Sequence, residues 1–145
     1  MGRDRIRLVL GSATLIAGIA TAGSLWFSLG LGLVPCDLCW YQRILMYPLV
    51  VVLGVATIEA RPAVWRTVIP LSVIGGVTAA NHSVLQATTT TCSFEGSCAA
   101  VQWQAPMLGL TIPNLSLLAF LLVTAAGLSC SRMTVSRNET RHHNQ

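Results

Sequence analysis

Four long runs of apolar residues, separated by short polar breaks, organise this sequence. The first runs from Leu8 to about Leu29 and the second from about Trp40 to Ile58. The third runs from about Thr67 to Ala87, turning polar near its end, and the fourth covers approximately 110–129. Each offers about 20 residues, the length a helix needs to cross the hydrocarbon core of a bilayer. A backbone in lipid must satisfy its own hydrogen bonds, so all four runs are expected to be helices. The pattern predicts an all-α fold, a polytopic membrane four-helix bundle over residues 1–130. A polar tail, SRMTVSRNETRHHNQ over 131–145, follows and is expected to be disordered. The first run has a basic start and small residues near Ala20 and Ala22, as a secretion signal does. Its apolar stretch exceeds the usual 7–15 residues of a signal core, so it is expected to stay as a first span.

Composition agrees with the pattern. Hydrophobic residues make up 53% of the 145-residue chain and charged residues 10%, with mean hydropathy +0.65. A soluble domain carries about 25% charged residues. The net charge of +4 does not point to nucleic acid. There is no lysine, and the nine arginines are scattered singly, so no basic stripe exists to follow a phosphate backbone.

The arginines instead orient the bundle. Arg3, Arg5 and Arg7 precede the first span, Arg61 and Arg66 sit between the second and third, and Arg132, Arg137 and Arg141 follow the fourth. All eight fall on one side of a four-pass topology, which the positive-inside rule assigns to the cytoplasm. Both termini are then cytoplasmic and two loops, about 30–39 and about 88–113, are extracytoplasmic. Arg43 alone lies on the other side.

These loops hold four of the five cysteines: Cys36 and Cys39 in the first, Cys92 and Cys98 in the second. Disulfides form and persist outside the plasma membrane. Cys36 and Cys39 form a C-x-x-C at the entry to the second span. Three-residue spacing in a turn allows a disulfide, and a helix N-terminus favours the thiolate. Arg43 follows Cys39 by four residues and shares its helix face. Asp37 opposes the thiolate. The spacing is open to a redox pair, a static staple or half of a zinc site, although CDLCWYQR and CSFEGSC do not read as zinc ribbons. Cys92 and Cys98 flank a short polar segment, and two pairs on one side of a membrane can exchange. A bridge closing so short a loop removes little chain entropy. Cys130 falls at the cytoplasmic end of the fourth span, out of reach of the outer pairs.

The polar residues within the spans add a second theme. Arg43 near an outer boundary is either a snorkelling anchor or part of a site. The third span ends in ANHSVLQA, where His82 and Gln86 share a face. His82 and Arg43 are expected at about the same depth, beside the first cysteine pair. A cation, an imidazole and a thiol at one level suit an apolar electron acceptor with polar carbonyls, such as a lipid-borne quinone.

The stretch PCDLCWYQR at 35–43 resembles the P-C-x-L-C-x-Y-[QE]-R motif of the disulfide bond formation protein B family, with its short Gram-positive-type relatives. HSVLQ at 82–86 and GLTIPNLSLLAF at 109–120 are similar to that family's third span and its entry to the fourth. The resemblance covers nearly the whole chain. It implies a multi-pass thiol oxidase of a prokaryotic plasma (inner) membrane, which re-oxidises a soluble thioredoxin-fold (DsbA-like) carrier and passes electrons to quinone, ubiquinone or menaquinone. Cys36 and Cys39 would then be the quinone-linked pair, with Arg43 contacting the quinone and His82 near it. Cys92 would meet the carrier and Cys98 would resolve towards the first pair. No metal is implied. The second loop is shorter than in the longer family members. Two other readings compete. Vitamin-K-epoxide-reductase-like proteins also combine four helices, a C-x-x-C and quinone, but their C-x-x-C belongs near a late helix, whereas here it comes first. A non-catalytic membrane scaffold with two structural disulfides would hold fixed bridges.

Overall fold

The computed structural model describes residues 2–88, 101–104 and 109–143. Helix α1 (Gly2–Leu25) continues through a π-helical turn at Trp26–Gly30. Helix α2 (Asp37–Glu59) follows, then a 3₁₀ turn at Pro62–Val64, helix α3 (Trp65–Thr88) and helix α4 (Ile112–His143). All four are long and apolar enough to cross a membrane, and the expected all-α four-helix bundle is the fold observed. In the ring of helices, α1 and α3 each lie between α2 and α4, while the diagonal partners barely touch.

The helices begin earlier than the apolar runs. α1 starts at Gly2, so Arg3, Arg5 and Arg7 ride on the helix rather than ahead of it. Arg7 Nη2 donates to the carbonyl of Ile58 at 3.3 Å, capping the end of α2 where carbonyls lack helical partners. α2 itself stops in a tight reversal. Ala60 takes φ +51°, its N–H reaches the Thr57 carbonyl at 3.3 Å, and the Arg61 N–H reaches the Ala56 carbonyl at 3.0 Å. This is the Schellman arrangement, here with alanine where glycine is usual. α4 continues to His143, through most of the segment set apart as a disordered tail from 131 onward. Extending an existing helix avoids the nucleation cost that an isolated tail would face.

Large apolar side chains point outward on every helix, Leu8, Ile19, Leu29, Ile58 and Ile74 among them. In water this would be untenable; in lipid it is the ordinary exterior. Burying apolar surface gives no drive between helices in lipid, so close packing and small residues must hold them. The interior is accordingly built on Ala13, Ala17, Ala56, Ala79 and Ala119 beside Leu10, Leu49, Leu53 and Phe120. Hydroxyl pairs cross the interfaces: Thr14 with Thr57 at 3.1 Å between α1 and α2, and Thr124 with Ser72 at 2.9 Å between α4 and α3. Each is worth about 0.6 kcal/mol in such settings. Pro48 and Pro70 lie inside helices, where membrane packing tolerates the lost backbone donors.

The tightest junction is between α3 and α4. Phe120 is fully buried and lies against the bare backbone of Gly75, where an added Cβ would stand 2.2 Å from the Phe120 ring. Gly75→Ala is therefore expected to cost about 1–3 kcal/mol through overpacking. Gly18→Ala meets nothing within 4 Å and is expected to be neutral or slightly stabilising. Thermal unfolding of both variants in the same detergent checks the contrast.

Candidate functional site

The chain leaves the π-helical turn through Gly32, at φ +67°, and enters α2 by way of Pro35. Cys36 is the N-cap of α2, extended at φ −75° and ψ 171°, and its carbonyl accepts the Trp40 N–H at 3.0 Å. Cys39 lies in the first helical turn. One turn of geometry thus brings the two sulfurs to 3.1 Å. That exceeds the roughly 2.05 Å of a disulfide bond, and the two sulfurs are close enough to join in one with little movement. Cys36 is buried and Cys39 is partly exposed.

His82 projects from α3 into this corner and is 2% exposed. Its Nε2 lies 3.8 Å from Cys36 Sγ, and its Nδ1 lies 3.1 Å from Gln42 Nε2. Gln42, on α2, is itself 6% exposed. When Gln42 donates from Nε2, Nδ1 is the acceptor and the ring proton sits on Nε2, aimed at the sulfur. The structure therefore joins His82 to the first cysteine pair, as expected, and adds a residue not singled out from sequence. Gln42 lies three positions beyond Cys39 and four before Met46, on the buried face of an apolar helix. A polar residue on that face was the available signal.

Arg43 goes elsewhere. Successive helical residues point about 100° apart, so Gln42 faces α3 while Arg43 faces α1. Arg43 Nε donates to Ser24 Oγ at 2.8 Å, and Nη2 donates to the Ser24 carbonyl at 2.8 Å and to Ser28 Oγ. Its guanidinium also stands 5.6 Å from the Trp40 ring centroid, a cation–π distance. Ser28 lies within the π-helical turn, a wider coil of the kind often found at functional sites.

Two cavities flank this arrangement. The larger, about 460 Å³, opens between α1, α2 and α4. Ile16, Ile19, Ala20, Met46, Leu118 and Leu122 form its apolar wall, and Cys39, Gln42, Arg43, Ser24 and Ser28 its polar end. Thr21 and Tyr47 also line it, one helical turn deeper, and their buried hydroxyls have no hydrogen-bond partner among the described residues. The smaller cavity holds about one water molecule's worth of space. It is bounded by Cys36, Cys39, His82, Gln86, Gln102, Trp103, Ile112 and Pro113. Arg43 and His82 thus line different cavities, and Cys39 lines both.

The returning strand of the second loop closes the site. Gln102 Nε2 donates to the Val34 carbonyl at 3.0 Å, and Trp103 packs on Phe27 with centroids 4.9 Å apart. Cys92 and Cys98 lie outside the described residues. Cys130 is fully buried in the middle of α4, eighteen residues beyond Ile112 and remote from the pair in sequence and depth.

Comparison with known proteins gives a consistent picture. A family model described as disulfide bond formation protein DsbB matches residues 6–130. The chain is 37% identical over 125 residues to disulfide bond formation protein C of Bacillus subtilis, covering 83% of this chain and 90% of that protein. It is 38% identical to a probable disulfide formation protein of Deinococcus radiodurans, covering 97% of each. A probable disulfide formation protein of Metapseudomonas resinovorans is 33% identical over 83% of this chain and 87% of its own length. No solved structure matches.

The burial difference between the two thiols has a direct readout. In the reduced chain, single-cysteine variants are expected to show Cys39 alkylated several-fold faster than Cys36 by a small neutral reagent, because access controls thiol reactivity as well as ionisation. Equal rates, measured by mass spectrometry, would contradict the geometry.

Proposed function

The chain belongs to the disulfide bond formation protein DsbB family, and from that premise we propose that it is a membrane thiol oxidase. It takes electrons from a soluble thioredoxin-fold carrier outside the plasma membrane and passes them to quinone. The observation that carries this reading is the position of Cys39, on the wall of both cavities. One cavity faces the loop that leads back to Cys98; the other is an apolar chamber among lipid-facing helices. The segment from Cys98 to Gln102 is four residues long, a reach of at most about 14 Å at full extension. The eight arginines on one side of the four-pass topology support an outside position for the thiol end.

The exchange half follows from thiol chemistry. The carrier thiolate attacks a sulfur of the Cys92–Cys98 disulfide, and the carrier leaves as its own disulfide. The thiolate of Cys98 then attacks Cys36 in the Cys36–Cys39 disulfide, and Cys39 departs as thiolate. Cys92 resolves the Cys98–Cys36 link and frees Cys36. Two electrons have moved from the carrier to the first pair, and no bond is left unaccounted for. His82 assists at one atom: Nε2 gives a proton to the Cys36 sulfur or takes it back, with Gln42 fixing the ring.

The large cavity fits a quinone. Its walls are apolar, Arg43 presents a cation at one end, and the Thr21 and Tyr47 hydroxyls are buried without partners among the described residues. Such groups are costly unless satisfied, and a flat apolar molecule with polar oxygens satisfies them. Quinone, when bound, supplies a two-electron, two-proton sink. The chain supplies a sulfur on the wall at Cys39, an anchored cation, and a water-poor surround that strengthens the electrostatics. Arg43 is held by three hydrogen bonds to α1, so its charge is positioned in advance.

Re-oxidation of a reduced thioredoxin-fold carrier by the purified chain with ubiquinone or menaquinone tests the reading. Cys39→Ser is expected to abolish turnover. Arg43→Ala is expected to raise the quinone concentration for half-maximal rate by about 10- to 100-fold, the value of a charged hydrogen bond. Turnover that survives Cys39→Ser, or an Arg43→Ala variant with unchanged quinone dependence, would overturn it.

A further inference from the structure

The corner where His82 meets the cysteine pair has a second chemistry. Cys36 Sγ, Cys39 Sγ and a ring nitrogen of His82 lie within 4.8 Å of one another. A tetrahedral zinc site with Zn–S of about 2.3 Å and Zn–N of about 2.05 Å puts its sulfurs about 3.8 Å apart and each sulfur about 3.6 Å from the nitrogen. The sulfurs here are 3.1 Å apart, and Cys36 Sγ is 3.8 Å from Nε2. Rotating one thiol slightly about its Cα–Cβ bond closes the difference. We propose that the dithiol form of this chain binds one Zn²⁺ through Cys36, Cys39 and His82, and that the bound cation blocks oxidation of the pair.

Three further observations support this. Two thiolates and an imidazole are the donor set that Zn²⁺ prefers, and one that Mg²⁺ and Ca²⁺ reject. The fourth position has candidates, because Gln86 and Gln102 line the same small cavity, which has room for one water. Third, an outer-shell partner for the histidine is already in place. A ligating imidazole donates its other N–H to an acceptor that fixes the tautomer. Turning the Gln42 amide over presents Oε1 to Nδ1–H in place of the amino group, and frees the Nε2 lone pair for the metal.

The step is a ligand exchange without electron transfer. Two S–H bonds break, two Zn–S bonds form and two protons are released. The disulfide form offers no thiolate, so zinc and oxidation compete for the same two sulfurs. The site stands on ligand geometry alone and does not require the oxidase reading.

The test uses the full-length reduced chain in detergent, freed of chelator, with Zn²⁺ as ligand and Co²⁺ as spectroscopic probe. One zinc per chain is expected, with a tetrahedral cobalt spectrum carrying thiolate charge transfer, and both are expected to vanish on oxidation to the Cys36–Cys39 disulfide. Gln42→Leu is expected to weaken zinc affinity about 10- to 100-fold with the cobalt spectrum retained, and His82→Ala to weaken it further. In the unaltered chain, zinc is expected to shield Cys36 and Cys39 from alkylation, which needs no variant to fold. The proposal is overturned by absence of bound zinc, by equal affinity in the oxidised chain or in Cys36→Ser, or by shielding confined to Cys92 and Cys98. A chain that turns over with quinone but binds no zinc sinks this inference alone; zinc bound by a chain with no turnover upholds it and sinks the oxidase reading.

Discussion

A polar side chain inside a bilayer has no water to fall back on, and the thiol-bearing end of this bundle is arranged around that constraint. Gln42 and Arg43 are neighbours in sequence on α2, and each must find a partner within the protein. Because helical geometry turns them apart, they find partners on opposite sides. Gln42 reaches His82 on α3, and Arg43 reaches Ser24 and Ser28 on α1. These two links tie α2 to both of its neighbours at the level of the thiols. They also fix the entry of α2, so that Cys36 and Cys39 stand in a defined place at its start.

The same division makes two environments from one helix turn. On the α3 side the corner is tight, with imidazole, amide and sulfur around a space no larger than a water. On the α1 side the helices stand apart around a chamber of about 460 Å³. The cysteine pair sits between them. The proposed oxidase would exchange a disulfide on one side and pass electrons on from the other, and Cys39, which lines both spaces, suits that route.

Much of this was legible in the sequence, for identifiable reasons. Apolar run length fixed four helices because lipid permits little else. His82 was legible beside the cysteines, since a polar residue near the outer end of a third span has few places to go. The expectation that Arg43 and His82 share a level and a ligand came from depth alone. Depth carries no information about azimuth: Arg43 turns towards α1 and lines the large cavity, whereas His82 on α3 lines the small one. Gln42 escaped notice because glutamine carries no charge, although its spacing from Cys39 and Met46 marks the buried face. Metal binding was weighed on the flanks of the cysteines, where a ligand from another helix leaves no trace. The extension of α4 to His143 was hidden by polarity, which reports solvent exposure rather than backbone conformation.

The bundle also differs between its halves in a way that suits the division of labour. The α3–α4 junction is closed by a phenylalanine against a bare glycine backbone, backed by the hydroxyls of Ser72 and Thr124. The chamber instead opens where α1, α2 and α4 meet, and α1 lines it with Ala20, Gly23 and Ser24. Small residues at a helix interface normally let backbones approach. Here the Arg43 clamp holds α1 and α2 together at the thiol end, and the small side chains beyond it leave volume. A polar, directional contact beside the chamber resists its closure in a way that non-directional apolar packing does not. Arg43, the one arginine not explained by topology, thus braces the helices beside the space as well as facing it.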